Sequence, residues 1–347
     1  MSAPAVTIYA TGMVCGVGLN TPSACAAIRA GINNFQETRF MDNGGEWIMG
    51  CEVPLEQAWR GRAKLVKMAA MAIRDCLTDP EGNIQSEETP LLLCVAEAER
   101  PGRLACLDDA LFREIQDELG MAFHDHSSLI PQGRVAGAVA LYQARKLIHE
   151  QGCKRVLIVG VDSLLSGTTL IAYQKRERLF TSLNSNGFMP GEAAAALLVG
   201  APQTGDPVTR LHCIGMGFAV EKATVESEIP LRAEGLSSAI KAATAELGAP
   251  LAITDFRIAD LSGEHYYFKE AALALSRCLR DTDKFHDLWH PADCVGECGA
   301  AMGLLMTAVL RSACLNGYAP GRYSLHHTGA DNGKRAALIF GFDKASH

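Results

Sequence analysis

The side chains able to do chemistry in this 347-residue chain gather in a few places. Residues 286–298 carry His286, His290, Asp293, Cys294 and Cys298. Two imidazoles four residues apart with thiolates close behind are ligands that suit zinc. Pro291 breaks any helix that would put both His on one face, and Cys-x-x-x-Cys is not a finger spacing. The segment therefore reads as a loop that holds no metal. His124, His126, Ser127 and Ser128 set hydroxyls beside imidazoles, as a Ser–His nucleophile would, but no elbow motif surrounds them, and they are expected on an exposed polar surface. His326-His327 is also expected to face solvent. The 12 cysteines follow no disulfide rhythm and mostly sit inside apolar segments, so they read as small buried hydrophobes kept reduced.

Bulk composition sets the class. With 48% hydrophobic and 20% charged residues the chain is globular. Its charge balance, 32 − 39 = −7, argues against nucleic acid or an anionic membrane as a main partner, since both need a basic surface. The first residues show no basic n-region or long apolar stretch, and the apolar runs elsewhere are strand-sized. A cytoplasmic chain without membrane spans or cofactor is expected.

The elements that must position these groups alternate between two periods. Residues 6–14 (VTIYATGMV), 90–96, 155–161, 193–199, 211–216, 253–260 and 335–342 read as strands. Residues 21–30, 65–77, 135–150, 231–247, 269–280 and 300–314 read as helices. Such alternation predicts helices packed on a mostly parallel sheet. Two rounds of similar order suggest two related halves, 1–203 and 204–347.

Five segments together resemble the β-ketoacyl-acyl-carrier-protein synthases of the thiolase superfamily. They are Thr11-Gly12 with Gly16-Val17-Gly18 and Thr21-Pro22; the helix from Arg134 with the following strand; Gly187-Phe188-Met189-Pro190-Gly191-Glu192-Ala193; Gly299-Ala300-Ala301-Met302-Gly303; and Phe340-Gly341-Phe342, set against the family's C-terminal FGFGG turn. The resemblance spans nearly the whole chain, though the chain is shorter than a typical ketosynthase. It implies an α/β thiolase-like fold of five layers, αβαβα, made of two βαβαβαββ halves, and a homodimer across a shared sheet edge. Glu192 is expected to be a buried structural carboxylate.

The family's chemistry uses a Cys thiolate at a buried helix N-terminus, where the dipole lowers its pKa, and two His. Carried onto this chain, the nucleophile position is Arg134, the first His position Asp260, the second Gly296, and the usual Lys position Pro291. His265 is the nearest imidazole to Asp260 and would need an insertion to serve. A buried unpaired guanidinium would cost several kcal/mol, so Arg134 is expected to pair with Asp260, with Glu297 or Glu264 as alternative partners. The other expectation is that Arg134 snorkels to the surface.

The resemblance implies a non-catalytic homologue that acts by binding: a scaffold or adaptor for a protein partner. It is similar both to chain-length-factor subunits, which pair with a working synthase, and to thiolase-like accessory proteins encoded with type VI secretion cargo. The shorter chain ranks the secretion adaptor first. Partner candidates are secretion cargo, a partner synthase or a carrier protein. The competing class is a 3-oxoacyl synthase or acyltransferase working on acyl-CoA or an acyl carrier protein through Cys294, Cys298 or Ser262.

Overall fold

Strand β1 (Val6–Cys15) is buried along its whole length, as an apolar run without polar alternation must be. The computed structural model describes residues 3–203, 210–279 and 286–343. After β1 come α1 (Thr21–Arg29), the hairpin β2 (Gln36–Met41) and β3 (Trp47–Gly50), α2 (Gly61–Thr78), β4 (Leu91–Val95), α3 (Asp109–Leu119) and β5 (Ser128–Pro131). Then follow α4 (Ala136–His149), β6 (Arg155–Ser163), α5 (Gly167–Lys175), β7 (Glu192–Gly200) and β8 (Arg210–Val220). The chain continues through α6 (Glu234–Leu247), β9 (Phe256–Ala259), α7 (His265–Cys278), β10 (Asp287–Trp289), α8 (Ala292–Val295), α9 (Met302–Leu315), β11 (Tyr323–Gly329) and β12 (Lys334–Asp343). Helix starts follow local rules: Asn20 caps α1 by accepting the Ser23 N–H, with Pro22 in its first turn.

Ten strands form one continuous sheet, ordered β10-β9-β11-β12-β8-β1-β7-β6-β4-β5. It divides into two sets of five with the same order, β5-β4-β6-β7-β1 and β10-β9-β11-β12-β8. In each set the fourth strand, β7 or β12, runs antiparallel to its neighbours. The sets join through a short antiparallel pairing of β1 with β8, Val6 to Cys213 through Ile8 to Leu211. Four of the nine strand contacts are parallel and five antiparallel. The expectation of a mostly parallel sheet is therefore corrected. Strand β12 follows β11 after a tight turn, and a tight turn can join only antiparallel strands. The expected junction of the halves falls beside residues 204–209, which lie outside the described residues.

Three apolar cores separate five layers, αβαβα. Each five-strand set makes one sheet layer, and between the two layers lie α4 and α9, in a core with Ile158 and Val199 of one and Met216 and Phe340 of the other. Outside the first sheet, α2 and α3 cover Leu91, Leu93 and Leu157. Outside the second, α6 covers Leu325, Ala337 and Ile339. The two central helices approach closely because they are Gly- and Ala-rich: a Cβ on Gly137 would sit 3.1 Å from Leu304 Cδ2. This central layer delivers the N-termini of α4 and α9 to the same end of the molecule, where the site forms.

Candidate functional site

A single 3₁₀ turn, Gly133–Val135, leads from β5 into α4 and carries Arg134. Gly133 has φ +54°, a conformation that favours glycine, and a Cβ there would meet Glu97 Oε2 at 1.9 Å unless that side chain moved. Arg134 points inward and is 9% exposed, which excludes the snorkelling expectation. Its guanidinium lies 2.8 Å from Asp331 Oδ1, 3.5 Å from Glu297 Oε2 and 4.0 Å from Asp260 Oδ2. The Tyr267 ring covers it, 4.2 Å from Cζ to centroid. Asp260 is thus within ion-pair distance but is the most remote of three carboxylates. The shortest bond goes to Asp331, in the turn between β11 and β12.

Two further guanidiniums complete the cluster. Arg178 forks onto Glu264, with Nη2 donating to Oε2 at 2.8 Å, and donates to both oxygens of Asp331 at 3.0 and 3.1 Å. Glu264 is therefore the partner of Arg178 rather than of Arg134. Arg100 forks onto Asp162 at 2.6 and 2.7 Å. Asp162 also accepts the Ala300 N–H at 3.0 Å, a carboxylate set against the turn that opens α9. The hydroxyls of Tyr173 and Tyr267 donate to Asp331 at 3.1 and 2.6 Å. Glu297 accepts from the Ser262 hydroxyl at 3.0 Å and from the Gly299 N–H at 2.8 Å.

Three guanidiniums thus stand among six carboxyls: Asp331, Glu264, Glu297, Asp260, Asp162 and Glu97. Burial would raise Asp331, but Arg134 and Arg178 outweigh it and hold that carboxyl well below the usual carboxylate range. Burial pushes Glu297 up to about 7 despite Arg134, and raises Asp260 and Glu97 as well. For these three acids desolvation outweighs the nearby cations and disfavours the charged form. About 20 Å³ of cavity remains among Glu97, Arg100, Arg134, Arg178 and Asp331, room for roughly one water. The residues lining it include no Cys or His. The arrangement can exchange a proton at Glu297; its guanidiniums, always charged, cannot act as nucleophiles.

Other expected positions fall elsewhere. Gly296 contributes only backbone, at φ +74°, and the side chain this loop sends into the cluster is that of Glu297, one residue on. Pro291 lines a different cavity, beside Trp289 and Tyr318. Phe340-Gly341-Phe342 is not a turn: it pairs with β8 inside β12, and the turn at the site is the one that holds Asp331. His326 and His327 are 2% and 4% exposed, which corrects the solvent-facing expectation, and burial pushes both down to about 3. They sit in β11 between β9 and β12, where a strand is covered on both faces.

Gly191 packs where a Cβ would meet the Val295 carbonyl oxygen at 2.1 Å. Glu192 is 2% exposed, accepts from Val53 N–H and Ser163 Oγ at 2.8 Å each, and pairs with Lys64. Gly299 has φ +51° and lies against Asp162. His265 is exposed at the start of α7. Cys298 is buried, its thiol donates to the Val295 carbonyl at 3.3 Å, and burial raises both it and Cys294. His290 pairs with Asp293 at 2.9 Å, and among the described residues no group of three His, Cys, Asp or Glu can hold a metal ion. Ser127 donates to the His124 carbonyl at 2.6 Å, not to an imidazole. Sequence reasoning missed Arg178, Asp331, Tyr267 and the Arg100–Asp162 pair. Asp331-Asn332-Gly333 carries a turn signature, but only the fold brings that turn to α4.

No protein-family model matches the sequence, and no curated protein matches it. Solved structures do match its fold. A chain from a complex of a type II PKS acyl-carrier protein with its ketosynthase bound to the hexaketide superposes with a TM-score of 0.79 at 13% identity, over 98% of this chain and 99% of that one. The ishigamide ketosynthase/chain length factor gives 0.78 at 17% identity, over 98% and 99%. A β-ketoacyl synthase from Burkholderia phymatum gives 0.71 at 15% identity, over 99% and 100%. The chain has the thiolase-like fold of the ketosynthases. No helix of the described residues is long and apolar enough to cross a membrane.

Proposed function

We propose that this chain is a non-catalytic ketosynthase homologue that works as a subunit or scaffold for a protein partner. One observation carries the reading: Arg134, at the head of the buried helix α4, is locked by Asp331, Glu297 and Asp260 in a site with about 20 Å³ left open. In the family's terms a Cys and two His have given way to Arg134, Asp260 and Gly296, and the side chain of Glu297, next to Gly296, reaches Arg134 in a site lined by no Cys or His. Pairing with another ketosynthase-like chain is supported by similar folds solved as a ketosynthase in complex with its chain length factor and as a ketosynthase–chain length factor. It is supported also by the free edge of β5, paired on one side only with β4. Elsewhere on the surface, the β8 residues Phe218 and Val220 are 40% and 66% exposed.

We place the partner as a second such chain, identical or a working synthase, with a carrier protein or secretion cargo as the other candidates. We divide the chain into halves at residues 203/204, following the repeated strand order, and we place it in the cytoplasm, where its cysteines stay reduced. One contact favours the second reading, acyl transfer by a non-standard nucleophile: the Ser262 hydroxyl against the Glu297 carboxyl at 3.0 Å. Intact mass after incubation with acyl-CoA, an acyl carrier protein and cerulenin separates the two. The scaffold reading expects no covalent adduct and recovery of a ketosynthase-like partner from the native host. A stoichiometric acyl or inhibitor adduct overturns it.

A further inference from the structure

A second cavity, of about 570 Å³, lies between the end of α1, strand β10 with α8, and α9, within the range of small-molecule sites. Its floor is apolar, from Ile28, Leu288 and Val309. Two of its walls are aromatic: Trp289 and Tyr318 lie nearly parallel, 26° apart with centroids 6.4 Å apart, and Trp289 is braced behind by Phe256 at 5.0 Å. The one arginine among the lining residues, Arg29, has its Cζ 4.1 Å from the Tyr318 centroid. Among the described residues no carboxylate pairs with Arg29; Asp293 on the same rim lies 2.9 Å from His290 Nδ1.

A cation held over a ring, without a counter-ion, above an apolar floor favours a ligand that is flat and anionic. The geometry points to a binding site for a planar aromatic carboxylate. Its ring lies on the apolar floor against the edges of the stacked Trp289 and Tyr318 rings, and its carboxylate accepts from the Arg29 guanidinium. This site uses none of the residues of the Arg134 cluster and does not depend on the scaffold reading.

Isothermal titration of the full chain with 2-naphthoate, and with neutral 2-naphthamide as control, tests it. Naphthoate is expected to bind saturably and to quench Trp289 fluorescence, naphthamide to bind more weakly. Arg29→Gln, an exposed change that leaves the fold intact by circular dichroism, is expected to weaken naphthoate about ten- to a hundredfold, the loss of one charge-assisted bond. Trp289→Leu is expected to weaken both probes. Absence of saturable naphthoate binding, equal affinity for the two probes, or an unchanged affinity in Arg29→Gln overturns the assignment.

Discussion

Replacing Arg134 with Gln removes one cation from two buried carboxyls, Asp260 and Glu297, and a partly buried one, Asp331. At an effective dielectric of about 20, unit charges 2.8 Å apart interact by about 6 kcal/mol and those 4.0 Å apart by about 4 kcal/mol. Those gross terms do not survive intact, because the stranded acids have other recourse. Glu297, already at about 7, takes a proton near neutrality at almost no cost, and Asp331 keeps Arg178 and two tyrosine hydroxyls. The net loss falls to about 3–5 kcal/mol, the range for leaving one buried partner uncompensated. Unfolding entropy of about 2.1 cal/mol/K per residue makes about 0.7 kcal/mol/K for the 347 residues, so Tm should drop by about 4–7 °C.

The sign with pH is fixed. Losing the cation raises the native pKa values of Asp331 and Glu297 while the unfolded values stay put. The native variant then binds protons that its unfolded chain releases, so its stability falls as pH rises. Scanning calorimetry should find a larger deficit at pH 8 than at pH 5.5, and Arg134→Lys should recover part of it by restoring the charge. A Tm within about 1 °C of the parent at both pH values, or a deficit that grows toward acid, would refute the ion-cluster account.

Glu297→Gln probes the same cluster from the acid side. In the parent chain the folded pKa of this group stands at about 7 against a model-peptide 4.5, so it withdraws stability as pH climbs through that window, by at most about 3 kcal/mol. The variant should therefore gain on the parent between pH 5 and pH 8 in urea midpoints; a pH-independent difference would sink the assignment. Gly191→Ala should cost about 1–3 kcal/mol, because the added Cβ would sit 2.1 Å from the Val295 carbonyl, a backbone oxygen that cannot swing aside. An unchanged urea midpoint there would show that the strand–loop contact is looser than the geometry states.

How legible the molecule was depended on length and on contact range. β1 announces itself by its β-branched residues, β7 by the apolar run 193–199, and α4 by helical spacing that ends near Gly152. β5 and β10, at four and three residues, are too short to show a period. His326 and His327 look polar in sequence, yet a strand inside the sheet keeps them neutral and buried. The inward turn of Glu297 has the same origin: only the backbone of the loop shows that its side chain reaches Arg134.

The sequence by itself determined the layered α/β class, the repeated order of its two halves and the presence of an arginine at the head of a buried helix. The α/β alternation rests on local periodicity, which neighbours along the chain suffice to express; the layering and the place of Arg134 at a helix head are what the family resemblance implied. Tertiary structure alone decided what that arginine meets. Asp260, Glu297 and Asp331 are 126, 163 and 197 residues from Arg134 in sequence and come from three different loops. No spacing rule encodes their convergence, because it is the packing of two sheets on one central helix layer that brings those loops to the same end.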